Sequence, residues 1–118
     1  MRAFFIMLAV LSLSLVATRP AAATAMEMCN ETTIQSLHHC VQHAYEMGEI
    51  DNAGVATSLL VKIDAAQGAL DRGQLTAAVA ELRAFIHEVR AQAGQHITAD
   101  HAAHMIMHAE QVITALQP

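Results

Sequence analysis

Between Pro20 and Pro118 the chain contains no proline, and it has no tryptophan at all. Losing the strongest helix breaker over so long a stretch, in a segment rich in alanine and leucine, favours helix throughout. No strand signal interrupts it. Aromatics are scarce: beyond Phe4 and Phe5 there are only Tyr45 and Phe85, too few for a platform that stacks bases. Basic residues are scarce too, six against eleven acidic ones, for a net charge of −5. Such a chain repels phosphate backbones, and no Lys/Arg cluster offsets this, so nucleic acid is excluded as a partner. Catalytic signatures are missing as well. There is no Gly-rich phosphate loop, no His-Glu-x-x-His, no Gly-x-Ser-x-Gly and no haem-attaching Cys-x-x-Cys-His. Cys40 and His43 are three residues apart, but Cys40 borders an apolar stripe and His43 turns outward, which does not make a thiolate nucleophile. The absences argue against an enzyme, and no cofactor is expected.

What is present begins with MRAFFIMLAVLSLSLVATRPAAATA. A positive Arg2, an apolar run and the small-x-small sequence Ala23-Thr24-Ala25 read as a secretory signal peptide cut after Ala25. The run is shorter than the roughly 20 apolar residues that span a bilayer, and no second such stretch follows, so the mature form is expected to have no transmembrane span. The expected organisation is a signal peptide over 1–25, a leader over 26–32 and one helical domain over 33–118, exported to the periplasm or beyond. Cleavage leaves Lys62, Arg72, Arg83 and Arg90 against all eleven acidic residues, a mature charge of −7. Cys29 and Cys40 both stay. Export permits a disulfide between them, although the helix separates them by roughly 11 Å along its axis at 1.5 Å per residue, so the leader must fold back. An internal bridge, a bridge between chains and two free thiols are all open. An internal bridge over so short a loop stabilises by about 3 kcal/mol in the loop-entropy account.

Apolar periodicity and turn glycines divide the domain into four helices. The first spans Thr33 to Met47, with Ile34, Leu37, Val41 and Ala44 inward, and stops at Gly48. Asp51 is expected to cap the second, whose stripe is Leu59, Ile63, Ala66 and Leu70 and which ends at Gly73. Thr76 is expected to cap the third, with Ala78, Leu82, Phe85 and Val89 inward, before Gly94. Thr98 is expected to cap the fourth, which carries Ala102, Met105, Ala109, Val112 and Leu116. Short connections make neighbours antiparallel. The expected fold is all-α, a small antiparallel four-helix bundle made of two helical hairpins. A faint repeat at a spacing of 46 or 47 residues relates Gly48-Glu49-Ile50-Asp51 to Gly94-Gln95-His96-Ile97-Thr98.

All eight histidines lie in the mature part, and four crowd into HITADHAAHMIMHAEQ, residues 96–111. At 100° per residue His101, His104 and His108 share an arc of about 60° beside the apolar stripe. His104 and His108 are one turn apart, a spacing that can hold Zn or Cu; His39 and His43 make a second such pair on the first helix. His38 and His87 stand apart. His101, His104 and His108 are therefore candidate metal ligands, weighed against a solvated flank that happens to use histidine. Eight imidazoles in an acidic chain also suit a pH response.

Residues 59–94, LLVKIDAAQGALDRGQLTAAVAELRAFIHEVRAQAG, resemble the FIMAH domain, a helical accessory module found at the C-terminal end of many secreted bacterial enzymes and surface proteins. The likeness rests on Leu59-Leu60-x-Lys62-Ile63, Ala66, Leu70 before Gly73, Ala77-Ala78, Leu82-x-Ala84-Phe85-Ile86-x-x-Val89 and Gly94-x-x-Ile97. It continues through Ala102, Met105-Ile106, Ala109 and Leu116, and back to Ile34, Leu37 and Gly48. The resemblance implies an all-helical secreted module and no reaction. The histidine load and the two cysteines depart from the family pattern. Two functions are open: a non-enzymatic module that binds a protein or a cell-envelope component, and a periplasmic Zn or Cu binder.

Export predicts that the chain recovered from the periplasm or medium begins at Met26, which N-terminal sequencing checks; a membrane-bound chain still carrying Met1 would refute it.

Overall fold

The computed structural model describes residue 29 and residues 31–118. The expected signal peptide and most of the leader lie outside the described residues. Four helices follow in order: α1 (Ile34–Glu46), α2 (Ala53–Asp71), α3 (Leu75–Gln92) and α4 (Ala99–Leu116). Each packs on the two beside it in a ring, α1 on α2, α2 on α3, α3 on α4 and α4 on α1. The expected four-helix bundle is the fold observed.

The stripes read from periodicity are the core. Leu37, Val41, Leu59, Ile63, Leu82, Phe85, Val89, Met105 and Val112 are all fully buried. Leu60, Leu70, Ile106 and Leu116 pack partly buried around them. Each large aliphatic side chain taken from water contributes about 1.5–3 kcal/mol against the entropy of ordering the chain.

Helix ends follow backbone chemistry more than cap propensity. Gly48, at φ +79°, ends α1. Its N–H donates to Tyr45 O and that of Glu49 to Ala44 O, the paired bonds of a Schellman turn. Thr33 caps α1, its hydroxyl accepting from Ser36 N at 3.0 Å. The other three caps differ from expectation. Asn52, not Asp51, caps α2, accepting from Val55 N. Asp51 is engaged elsewhere, its N–H on His96 O and its carboxylate 2.8 Å from His96 Nδ1, so the chain stays extended one residue longer. The third helix starts at Leu75 after an uncapped Gln74, which leaves Thr76 inside its first turn. Thr98 holds the N-cap position of α4 without capping it, because its hydroxyl donates to Glu49 Oε2 at 2.6 Å.

The exceptions at Asp51 and Thr98 share one cause. The α1–α2 and α3–α4 loops lie side by side at one end of the bundle. Asp51 N donates to His96 O and Thr98 N to Glu49 O, both at 3.0 Å, around an antiparallel bridge between Ile50 and Ile97. The two isoleucines, each 1 % exposed, face each other as the lid of the core. The repeat seen in the sequence is this pairing. With both loops at one end, α1 and α3 run towards it while α2 and α4 run away, so neighbours are antiparallel.

One polar cluster braces the side. Lys62 Nζ lies 2.7 Å from Glu88 Oε2, and Ser58 Oγ donates to the same oxygen, joining α2 to α3. Glu88 is thus a mostly buried carboxylate held by two partners on α2.

Shortening Ile97 to alanine is expected to cost about 2–5 kcal/mol, and Ile50→Ala a comparable amount. Because each packs on the other, the double variant should fall short of additivity by at least about 0.5 kcal/mol. Val61→Ala, exposed on α2, should stay within about 0.5 kcal/mol. Urea titrations followed by circular dichroism read all three, and additive losses at 50 and 97 would disconnect the loops.

Candidate functional site

The half of the α1/α4 seam nearest the paired loops carries most of the chemistry. Helix α1 presents Cys40, His43 and, just past its end, Met47. Helix α4 presents His101, His104 and His108 along one side, and Glu49 comes from the loop. Cys29 closes the arrangement. It forms a disulfide with Cys40, with Cα atoms 5.3 Å apart. Of the three states open from sequence the internal bridge is the one found, with Cys29 lying level with Cys40.

A cleft of about 280 Å³ opens over the bridge, lined by Cys29, Cys40, His43, Met47, Glu49, His101 and His104. Its exposed lining is mainly apolar, with Met47 65 % exposed at the rim. A larger groove of about 480 Å³ between α3 and α4 is lined by Arg83, His87, Arg90 and Glu110 among others, and there Arg90 is already paired to Glu110 at 3.4 Å.

The three candidate histidines do not behave alike. His101 sits at the mouth with Nδ1 3.9 Å from Glu49 Oε2. Burial lowers its pKa below the usual histidine value, Glu49 works against that, and His104 and His43 add to the lowering. His104 is half-buried between its neighbours. Its ring stands edge-on to both, with centroids 6.3 Å from His101 and 6.3 Å from His108. His108 is inside the protein at 2 % exposure. The wheel put it beside His101, off the core edge; the correction is that α1 packs over that side of α4 and encloses it. Its Nε2 lies 2.7 Å from Glu31 O and 3.4 Å from Ser36 Oγ, and its Nδ1 lies 3.6 Å from Cys40 Sγ.

Among the described residues no three His, Cys, Asp or Glu side chains are grouped to hold a metal ion. His39 and His43 are partly exposed on α1, and only His43 joins the cleft. His38 is not isolated, with Nε2 3.3 Å from Asp64 Oδ1. His96, outside the candidate set, ties the loops through Asp51. The imidazole that meets Cys40 is thus His108 across the bundle, not His43 one turn on. Sequence spacing could not reveal a pairing 68 residues apart.

His108 makes folding sensitive to acid. Burial lowers its pKa, partly opposed by the hydrogen bond to Glu31 O, and His104 lowers it further. The unfolded chain takes a proton near pH 6.5, whereas the folded chain resists it to lower pH. Stability is therefore full above about pH 6.5 and declines as the pH falls below it; His101 acts in the same direction. The urea midpoint is expected to drop between pH 7.5 and pH 5. His108→Gln should be less stable than the parent at pH 7.5 and show a shallower decline. An undiminished slope would place the responsible proton on another group.

The FIMAH domain family matches residues 34–114. Neither a curated protein nor a solved structure matches the chain. The matched segment holds Cys40, His43 and all three candidate histidines, while Cys29 and Glu31 precede it. FIMAH domains are accessory modules of secreted bacterial proteins, and an internal disulfide is compatible with that setting. Matched from the first residue of α1 into the last turns of α4, the chain belongs to the FIMAH domain family.

Proposed function

We propose that this domain is a non-enzymatic, exported docking module that receives an apolar side chain of a partner protein in the cell envelope or outside it. The observation that carries this reading is the cleft over the disulfide. It is mainly apolar, it lies on an acidic domain, and its rim residue is a methionine exposed where a folded chain would otherwise bury it. Methionine is flexible and polarizable and adapts to varied partners. A partner inserting one apolar group displaces water from the mainly apolar lining. Glu49, His43 and His101 around the mouth supply polar atoms to orient it. The accessory character of the family supports a binding role over a chemical one.

The test is site-specific photo-crosslinking in the native host. A photoreactive residue at Met47 is expected to give one discrete adduct in the exported fraction. The same residue at Val61, apolar and 59 % exposed on α2 away from the cleft, should give none. Met47→Glu, combined with a photoreactive residue at His43, should remove the adduct. Equal labelling from positions 47 and 61, or none from either, would end the reading.

A further inference from the structure

Docking makes no use of what surrounds Cys40. Its sulfur belongs to a residue only 3 % exposed, whereas Cys29 is half-buried, and both line the cleft. The bridge thus has an outer and an inner residue. His108 stands at the inner one. Its Nε2 is 2.7 Å from Glu31 O, and a carbonyl oxygen only accepts, so Nε2 carries the proton of the neutral ring. Nδ1 then presents its lone pair to Cys40 Sγ at 3.6 Å. A disulfide sulfur has no hydrogen to donate. In the oxidised protein this buried acceptor faces an atom that cannot satisfy it; once Cys40 is reduced, the sulfur supplies a thiol hydrogen or a thiolate paired with imidazolium. Cys29 and Glu31, which complete the arrangement, come from outside the segment shared with the family.

We infer that Cys29–Cys40 is an exchangeable two-electron disulfide that reacts with external dithiols admitted by the cleft, Cys29 being the sulfur attacked and Cys40 the sulfur that leaves. The thiolate of the dithiol forms a bond to Cys29 Sγ as the Cys29–Cys40 bond breaks, and the bonding pair departs on Cys40 Sγ. The proton lost by the attacking thiol is taken up between Cys40 Sγ and His108 Nδ1. The second thiol of the reductant then attacks its own sulfur in the mixed disulfide and releases Cys29, which gains the second proton. The dithiol is oxidised to a cyclic disulfide and the protein holds two thiols: two electrons and two protons have moved. His108 acts on Cys40 alone and is a positioning residue. None of this depends on the docking reading, since exchange requires no protein partner.

Graded mixtures of oxidised and reduced dithiothreitol test it on the full chain, with thiols counted by alkylation and mass and helix content followed by circular dichroism. Both cysteines are expected to reduce together and reversibly in native buffer, with the helices retained. His108→Gln keeps an N–H for Glu31 O and removes the group beside Cys40. It should move the equilibrium at least ~10-fold towards the disulfide, about 30 mV for a two-electron couple. A bridge that opens only in denaturant, or a variant within twofold of the parent, overturns the inference. The parent chain alone gives a second reading, independent of whether the variant folds. Glutathione trapped by acid quench should be found on Cys29 by fragment-ion mass spectrometry; an adduct on Cys40, or one divided equally, overturns it.

Discussion

The structure depends on the pairing of two loops. Helices α1 and α4 are the first and last among the described residues, and no turn joins them. The backbone bonds from Asp51 to His96 and from Thr98 to Glu49 fix their common end, with Ile50 and Ile97 sealed beneath. These bonds account for three local irregularities: the late start of α2, the occupied carboxylate of Asp51 and the diversion of the Thr98 hydroxyl to Glu49. Without the pairing, the two hairpins would still bury most of their stripes. The α1/α4 seam, and the cleft built on it, would lose its anchor.

Polar burial along that seam is economical. Ser36 and His108 are the buried polar residues of the described core, and they lie within 3.4 Å of each other. A buried polar group left without a partner costs about 1–3 kcal/mol; here Glu31 O accepts from Nε2, while Nδ1 faces the Cys40 sulfur. The disulfide holds the leader where Glu31 can reach. Removing the bridge therefore acts twice, on the entropy of the unfolded chain and on the partner of a buried nitrogen in the folded one.

The sequence shows the fold more clearly than the site because the two are encoded at different ranges. Ile34, Leu37, Val41 and Ala44 announce a buried face through spacing alone, and Gly48, Gly73 and Gly94 mark turns because each takes a positive φ. Burial of Leu59, Phe85 or Met105 needs no knowledge of the partner helix. The helix starts were harder to read, since Asp51 and Thr98 are good caps by residue type and were engaged by atoms some 45 and 49 residues away. His108 is the sharpest case. On an isolated wheel it belongs with His101, and only the arrival of α1 separates a rim histidine from an interior one. The pairing of Cys29 with Cys40 likewise turned on the path of the leader, which periodicity does not describe.

Separation along the chain also gives the assembly an order. Cys29 and Cys40 are 11 residues apart and can find each other while the rest is unfolded. The contacts of His108 with Cys40, Ser36 and Glu31 span 68, 72 and 77 residues. Closing loops of that length is entropically slower than forming adjacent hairpins. Oxidation is thus available before the last helix docks, and it is that docking which brings the imidazole to the sulfur.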